Sequence, residues 1–357
     1  MTVADDFGKT DVGAVWSGQH QVYIILVNWN GSLDTIECLE SVFRLRYRNY
    51  RVVVCDNDSS DGSIGDIAAW AEGRTMYRPP ETPMGRFTDP PITKPLEYRL
   101  IETEQRQGFP RCFERLIILP TGGNLGFAGG NNVGIRFALS QGDCDFLWLL
   151  NNDTVVDPDS LARLVKKAGE DGSLGMVGAT IRYYDRPDII QALGGARFSR
   201  IRARSRIVGI GRPISDYDIG SLRRVEELLD WICGASMFLP KRFLETVGMM
   251  EEQYFLYFEE LDWVFRAKGL FRLGYSPDAV VYHKQGVATK EKWQSPESSY
   301  YKYRSRLKFY RKFLPLHLPF CLLATAVEAM VQAGKGNIQD LRPMWRSFAD
   351  EFGRKGF

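Results

Sequence analysis

The 357-residue chain has little of what builds metal frameworks or disulfide scaffolds: three histidines, and six cysteines (Cys38, Cys55, Cys112, Cys144, Cys233 and Cys321) without a Cys-x-x-Cys pair. A zinc site or a disulfide framework is therefore not expected, and a reducing compartment fits this usage. The first residues lack the apolar core of a signal peptide, so export by that route is not expected and a cytoplasmic location is. No Gly-x-Gly-x-x-Gly follows the first apolar run, which argues against a dehydrogenase. No Gly-x-Ser-x-Gly elbow presents a serine nucleophile. Internal repeats are absent as well. What is present is ordinary for a globular protein, 44% hydrophobic and 25% charged residues, which excludes a mainly disordered chain.

Charge is unevenly placed. From Lys284 onward there are 14 Lys+Arg against 6 Asp+Glu, a net of +8, whereas the preceding part carries 32 against 38. A basic tail on an acidic body points to an anionic partner or to a solvated helical face. Of the anionic partners, the cytoplasmic membrane leaflet is expected and nucleic acid is not.

Apolar runs of strand length alternate with helical patterns. Val22–Val27 and Arg51–Cys55 read as strands buried on both faces, with a helix between them from Ser32 to Arg46. Leu116–Leu119, Phe146–Leu150, Gly175–Ala179 and Ala279–His283 read as further strands, and Tyr257–Lys268 as a helix. The fold class is α/β, a Rossmann-like, mostly parallel sheet flanked by helices. Residues 1–20 read as a loose tail, 21–285 as the main domain, and 73–115 as a Pro-rich insertion or flap within it. Residues 286–357 read as a basic, partly apolar helical extension, whose apolar stretch Phe313–Val331 carries Pro315, Pro319, His317 and Glu328 and is short for a spanning helix.

Each strand delivers Asn, Asp or Gly at its C-terminal end, the edge where open α/β sheets bind ligands. Asn28, Asn30, Asp56 and Asn132 form a first constellation able to meet a base edge and ribose hydroxyls, with Trp29 available to stack on a ring. The same residue types also fill tight turns for backbone reasons alone. Asn151-Asn152-Asp153 places oxygen donors suited to a hard cation, or simply ends a strand. Glu259, Glu260 and Asp262 cluster at a helix start; such carboxylates raise one another's pKa and one can then take a proton, or they merely complement the helix dipole. Phe258, Leu261 and Phe265 share one face of that helix, and Glu259, Asp262 and Arg266 another. His283, at a strand end, is a candidate metal ligand.

This ordered series resembles the family 2 glycosyltransferases of the GT-A fold: Val27-Asn28-Trp29-Asn30, then Asp56-Asn57 and Asp61-Gly62-Ser63, Asn124 through Asn132, Leu150 through Asp153, Trp231 with Gly234, Phe258 through Asp262, and Val281-Tyr282-His283. The bacterial rhamnosyltransferase-like subgroup of cell-envelope polysaccharide synthesis is similar, including its C-terminal segment. The resemblance implies inverting transfer of a sugar from a nucleoside diphosphate donor to a saccharide or lipid-linked acceptor, with a divalent metal (Mn2+ or Mg2+). It implies donor-nucleotide contacts from Asn28, Trp29, Asn30, Asp56, Asn132, Asn151 and Asn152, metal contacts from Asp153 and His283, and sugar or acceptor contacts from Trp231, Gly234 and Arg266. It implies a catalytic base at Glu260, with Glu259 as the alternative and Asp262 beside them.

Two further readings stay open against this one. A sugar nucleotidyltransferase would be expected to carry a Gly-rich, Lys/Arg-bearing loop after its first strand, and Asn28-Trp29-Asn30-Gly31-Ser32 is not such a loop. A nucleotide-sugar-binding protein without turnover would be free to lose the acidic residues, which are present. For the tail, peripheral membrane contact through 300–331, packing onto the core, and a homodimer contact are the alternatives.

Overall fold

The computed structural model describes residues 20–102, 108–284, 296–334 and 341–353. Most of the expected loose tail at 1–20 lies outside them. The first half is built from β1 (Val22–Asn28), α1 (Ser32–Val42), β2 (Tyr50–Asp56), α2 (Ser63–Ala71), β3 (Tyr98–Leu100), β4 (Leu116–Pro120), α3 (Gly126–Ser140), β5 (Phe146–Asn151) and β6 (Thr154–Val156). There follow α4 (Ser160–Glu170), β7 (Leu174–Tyr183), β8 (Ile190–Leu193), β9 (Gly195–Ser199), β10 (Arg204–Ile207), α5 (Ile219–Arg223), β11 (Trp231–Ile232), β12 (Ser236–Pro240), α6 (Lys241–Val247), α7 (Glu259–Ala267) and β13 (Arg272–His283). Three helices close the chain: α8 (Pro296–Phe313), α9 (Leu318–Gly334) and α10 (Leu341–Phe352).

Ten strands form one mixed sheet in the order β3-β4-β2-β1-β5-β12-β7-β13-β6, with β8 paired to β7. The run from β3 to β5 is parallel, as is β7 with β13, whereas β12 runs antiparallel to both of its neighbours. Strand periodicity sends Val22, Ile24 and Leu26 into the core beneath α1, α2 and α4, and Tyr23 and Ile25 into the core beneath α3, α6 and α7. All five are fully buried, as the unbroken apolar run required. A second sheet, β10-β9-β11, stands apart; the sequence pattern had not shown it, since its strands are short and mostly polar.

The Pro-rich segment is more integrated than a flap. Its β3 forms the edge of the main sheet through parallel pairing with β4. Glu40, fully buried on α1, accepts hydrogen bonds from Trp70 Nε1 (2.9 Å), the Ile92 backbone N–H (2.8 Å) and Lys94 Nζ (2.5 Å). Glu40 thus straps residues 92–94 onto the domain. Removing one partner of a buried ion pair strands the other, at a cost of about 3–5 kcal/mol. Glu40→Ala is therefore expected to lower the urea-unfolding midpoint by a stability loss of that size. A loss under about 1 kcal/mol would show that the strap is not energetically coupled to the fold.

The C-terminal extension also departs from expectation. Leu307, Phe309 and Tyr310 of α8 are fully buried against the main domain, in a cluster with Phe198, Trp231, Phe258 and Phe265. This basic, Tyr-rich helix therefore packs onto the core and offers no apolar face to a membrane. The apolar stretch that follows is one continuous helical segment, Pro315–Gly334, of 20 residues and mean hydropathy 1.4, only 11% buried. That is long and apolar enough to cross a bilayer, longer than its prolines had indicated.

Candidate active site

The ends of β1 and β2 meet in a polar network. Asn28 Nδ2 donates to Asp56 Oδ2 (2.7 Å), while Thr35 Oγ1 donates to Asn28 Oδ1 (2.8 Å). Ser59 donates through its backbone N–H to Asp56 Oδ1 (2.9 Å) and through its hydroxyl to Oδ2 (2.8 Å). Asn30, with a positive φ of 50°, takes the Ser60 N–H on its Oδ1 (2.8 Å). Asn152 Nδ2 joins through Thr35 Oγ1 (2.9 Å). Asn28, Asn30, Asp56 and Asn152 are thus brought together, with Trp29 exposed beside them, whereas Asn132 of the expected constellation lies elsewhere. Asp56, however, is 1% exposed, so holding the two turns in shape is its structural task. Ser59 and Thr35 complete the network, Ser59 through the Asp-x-x-Ser spacing that lets the Asp56 carboxylate take the N–H three residues on.

One strand further along the sheet, β5 delivers Asn151, Asn152 and Asp153. Asp153 Oδ1 lies 3.0 Å from His283 Nε2, so the two expected metal ligands converge from β5 and β13. His283 Nδ1 is 2.7 Å from Gln191 Oε1, and since an amide oxygen only accepts, Nδ1 carries the proton. The Nε2 lone pair of a neutral ring then faces a carboxylate oxygen, an arrangement that requires a proton or a cation between the two. Asn151 Nδ2 approaches the same nitrogen at 3.3 Å. The pair, side chains 14% and 16% exposed, fits a hard divalent ion, with Gln191 fixing the ring as partners of metal-bound histidines do. Among the described residues no group of three or more His, Cys, Asp or Glu forms a metal cage, which leaves most coordination positions to water and ligand oxygens. Lys284, next in chain, is clamped by Asp34 (2.6 Å) and Glu37 (2.5 Å) of α1 and fixes the end of β13. Gln191 and Lys284 were not legible as site residues, because their partners lie 92 to 250 positions away.

The third part is the approach to α7. Phe255, Tyr257 and Phe258 all have positive φ, between 64° and 72°, which is strained backbone for bulky side chains and costs on the order of 1–3 kcal/mol each. Two elements hold them. The Phe127 N–H of α3 donates to Phe255 O (2.9 Å), and Ser305 of α8 donates its hydroxyl to Tyr254 O (3.1 Å) and Leu256 O (2.9 Å). Gly126 is required here, since a Cβ would lie 2.2 Å from Phe255 O. The strained turn delivers two adjacent carboxyls to different surroundings. Glu259 is 2% exposed with one carboxyl oxygen lacking a partner; burial, and then the neighbouring Glu260, push it well above the usual carboxylate range. Glu260 is half-buried, and burial raises it to about 7. Its carboxyl lies directly over Gly234, where an added Cβ would sit 2.3 Å from Oε1.

Gly234 ties this carboxyl to the metal corner. The Asn151 N–H donates to the carbonyl of the next residue, Ala235 (3.1 Å). Asp56, Asp153, His283 and Glu260 therefore all stand at the C-terminal rim of one sheet, served by β1, β2, β5 and β13 and by the turn before β12.

Four expected site residues have other roles. Asn132, 1% exposed inside α3, donates to Met250 O and Glu252 Oε1 (both 2.9 Å) and anchors the loop leading to the strained turn. Asp262 is fully buried, bound by Tyr254 Oη (2.9 Å), Arg266 Nε (2.8 Å) and Lys312 Nζ (2.7 Å). Arg266 spends its guanidinium on Asp262 and on the Val247 and Met249 carbonyls, leaving little for a sugar. Helical spacing puts Asp262 one turn and Arg266 two turns beyond Glu259, on its face, but Asp262 is turned to Lys312 of α8 and Arg266 to the Val247 and Met249 carbonyls. Trp231, like Phe198 and Phe258, packs against the buried cluster that includes Leu261, Leu307 and Phe309, and it donates its indole N–H to Ser205 Oγ (3.0 Å), bracing the small sheet.

Residues 104–221 match the model of glycosyl transferase family 2. The low-salt glycan biosynthesis hexosyltransferase Agl10 of Haloferax volcanii is 25% identical over 202 residues, 53% of this chain; the chain spans 58% of that relative's length. A mannosyltransferase from Pyrobaculum calidifontis, solved with GDP-mannose and Mn2+, superposes over 94% of this chain and 88% of its own, with a TM-score of 0.52 at 15% identity, a likeness of fold. The matched region makes this chain similar to glycosyl transferase family 2, and the shared architecture gives it the GT-A type of fold.

Proposed function

We propose that the chain is an inverting, metal-dependent glycosyltransferase that moves a hexose from a nucleoside diphosphate donor to a hydroxyl of a glycan or lipid-linked saccharide. The observation that carries this reading is the linkage of the Asp153–His283 pair to the Glu260 carboxyl through Asn151, Ala235 and Gly234. Asp153 and His283 would hold a divalent cation, which supplies charge neutralisation for the departing diphosphate. The network of Asn28, Asn30 and Asp56 shapes the pocket for base and ribose. Glu260, ionised above about pH 7, accepts the proton of the acceptor hydroxyl. That oxygen bonds to the anomeric carbon as the carbon–oxygen bond to diphosphate breaks, and the nucleoside diphosphate leaves with the bonding pair. One displacement inverts the centre. Glu259, keeping its proton in the apolar floor, limits the negative charge beside its neighbour.

Rhamnose is the sugar suggested by the subgroup resemblance, and cell-envelope polysaccharide synthesis the setting. The test is release of nucleoside diphosphate from dTDP-rhamnose, UDP-hexoses and GDP-mannose with Mn2+ or Mg2+. Turnover of one donor, abolished by EDTA and restored by metal, is expected. A protein that binds a donor but never cleaves it, with any of these metals and a range of saccharide acceptors, belongs to the binding-protein reading.

Peripheral contact with the inner face of the membrane is assigned to α9, with α8 excluded. Leu316, Phe320, Leu323, Val327, Met330 and Val331 are exposed along the Pro315–Gly334 segment, and Trp345 of α10 is 72% exposed near Arg342 and Arg346. An exposed apolar strip within a C-terminal region of net charge +8 suits an anionic bilayer surface. Flotation with phosphatidylglycerol vesicles is expected for the whole chain and lost in Leu323→Glu/Val327→Glu. Equal flotation of the variant would leave this strip to a second copy of the chain.

A further inference from the structure

The second sheet carries a feature that transfer chemistry at the rim leaves unused. In the β9–β10 ladder Arg206 stands directly opposite Arg197, and Arg204 opposite Ser199. Positions 197, 199, 204 and 206 share one face, and Phe198, between them, points the other way into the cluster under α8. Directly opposed cross-strand residues have Cβ atoms about 4.5–5.5 Å apart, and like charges there are destabilising. No carboxylate among the described residues forms an ion pair with Arg197, Arg204 or Arg206. Beside this pair opens a cleft of about 250 Å3, lined by Arg197, Arg206, Arg212 and Tyr217 and floored by Val208 and Leu228. Its third arginine has a fixed backbone: Arg212 O accepts the Ile190 N–H (2.9 Å), and Arg212 N–H donates to Gly209 O (3.1 Å).

Two guanidinia without a carboxylate partner among the described residues, Arg197 and Arg206, and a third, Arg212, which pairs with the exposed Asp216 at 3.4 Å, stand around one cleft and leave it net basic. Guanidinium forks match phosphate oxygens bidentately. The lining of the cleft shares no residue with the donor corner of Asp56, Asp153, Glu260 and His283. It is nonetheless coupled to the reacting end: β9 pairs with β11 at Ala196–Trp231, Trp231 bonds Ser205 next to Arg206, and Gly234 beneath Glu260 is three residues on, within about 11 Å of Trp231.

We propose that this arginine cleft binds a phosphate or diphosphate group carried by the acceptor, so that the acceptor is an anionic, phosphate-bearing saccharide presented to Glu260 from the β9–β11 side. This rests on the glycosyltransferase reading above. The soluble probe is inorganic pyrophosphate, titrated calorimetrically in EDTA so that the metal corner does not contribute. Wild-type protein is expected to bind it, and Arg197→Gln/Arg206→Gln to bind at least tenfold more weakly, with the wild-type affinity itself falling as salt is raised. Both substitutions are on an exposed hairpin face, and an unchanged circular dichroism spectrum and melting temperature certify the fold. Unchanged pyrophosphate affinity in the variant overturns the proposal. So does a variant that loses only binding to phosphatidylglycerol vesicles, which would make the arginines a lipid-headgroup contact. Donor cleavage by the wild type is measured in parallel: donor cleaved but pyrophosphate affinity unchanged in the variant rejects the arginine cleft alone, whereas no cleavage of any donor rejects the transferase reading together with it.

Discussion

Glu260→Gln is expected to reduce sugar transfer by about 10²–10⁴-fold, the span supplied by a positioned general base, while donor binding persists. Glutamine keeps the shape over Gly234 and cannot accept the proton. In the wild type the deprotonated carboxyl is the working form, so with its pKa near 7 the rate should rise with pH and level off above neutrality. The same shift has the opposite consequence for stability. A carboxyl raised in the fold above its ordinary value of 4.5 stays protonated where the unfolded chain has already ionised. Folding is therefore favoured relatively below about pH 4.5 and loses ground as pH climbs towards 7. The neutral amide escapes that loss, so the variant should melt at or above the wild-type temperature at pH 8. An inactive but equally stable variant identifies a base; transfer at wild-type rate by the variant would move the role to Glu259 or remove it.

The second large effect is expected at Asp153. Asp153→Asn preserves size and removes the one carboxylate facing His283 Nε2 at 3.0 Å. Loss of metal-borne charge neutralisation on a departing diphosphate is worth several kcal/mol, on the order of a 10³-fold fall in kcat/KM. The stabilisation of the protein by nucleoside diphosphate plus Mn2+, read as a thermal shift, should vanish in the same variant. Nucleotide without metal should shift wild type and variant alike, since the Asn28–Asp56 network is untouched. A variant as active and as metal-sensitive as the wild type would place the ion elsewhere.

Much of the sheet and its rim could be read directly from residue order. An apolar run ended by Asn or Asp is a strand leaving a buried sheet, and this holds for β1, β2 and β5 because both faces of each are covered. The pairing of Asp153 with His283 is what the family resemblance implies, and the two side chains do meet, at 3.0 Å. Side chains on helices were less legible. Glu259, Glu260 and Asp262 lie within four consecutive positions, and nothing local distinguishes the one bound by Lys312, fifty residues on, from the one standing over Gly234. Asn132 was misread for the same reason: its partners Met250 and Glu252 belong to a loop 118 and 120 residues away. The tail's positive charge indicated an anionic surface, yet α8 spends its Lys312 on Asp262 and its Arg306 on Glu328.

The amino-acid order alone determined the strand succession, the polar strand ends and the acidic start of α7, because burial periodicity and turn chemistry are local properties. Tertiary packing decided which carboxyl is wet and which is sealed, which asparagine faces the rim, and that a C-terminal helix braces the strained turn before Glu259. Those outcomes depend on desolvation and on partners supplied from distant segments, and neither exists until the chain has folded around them.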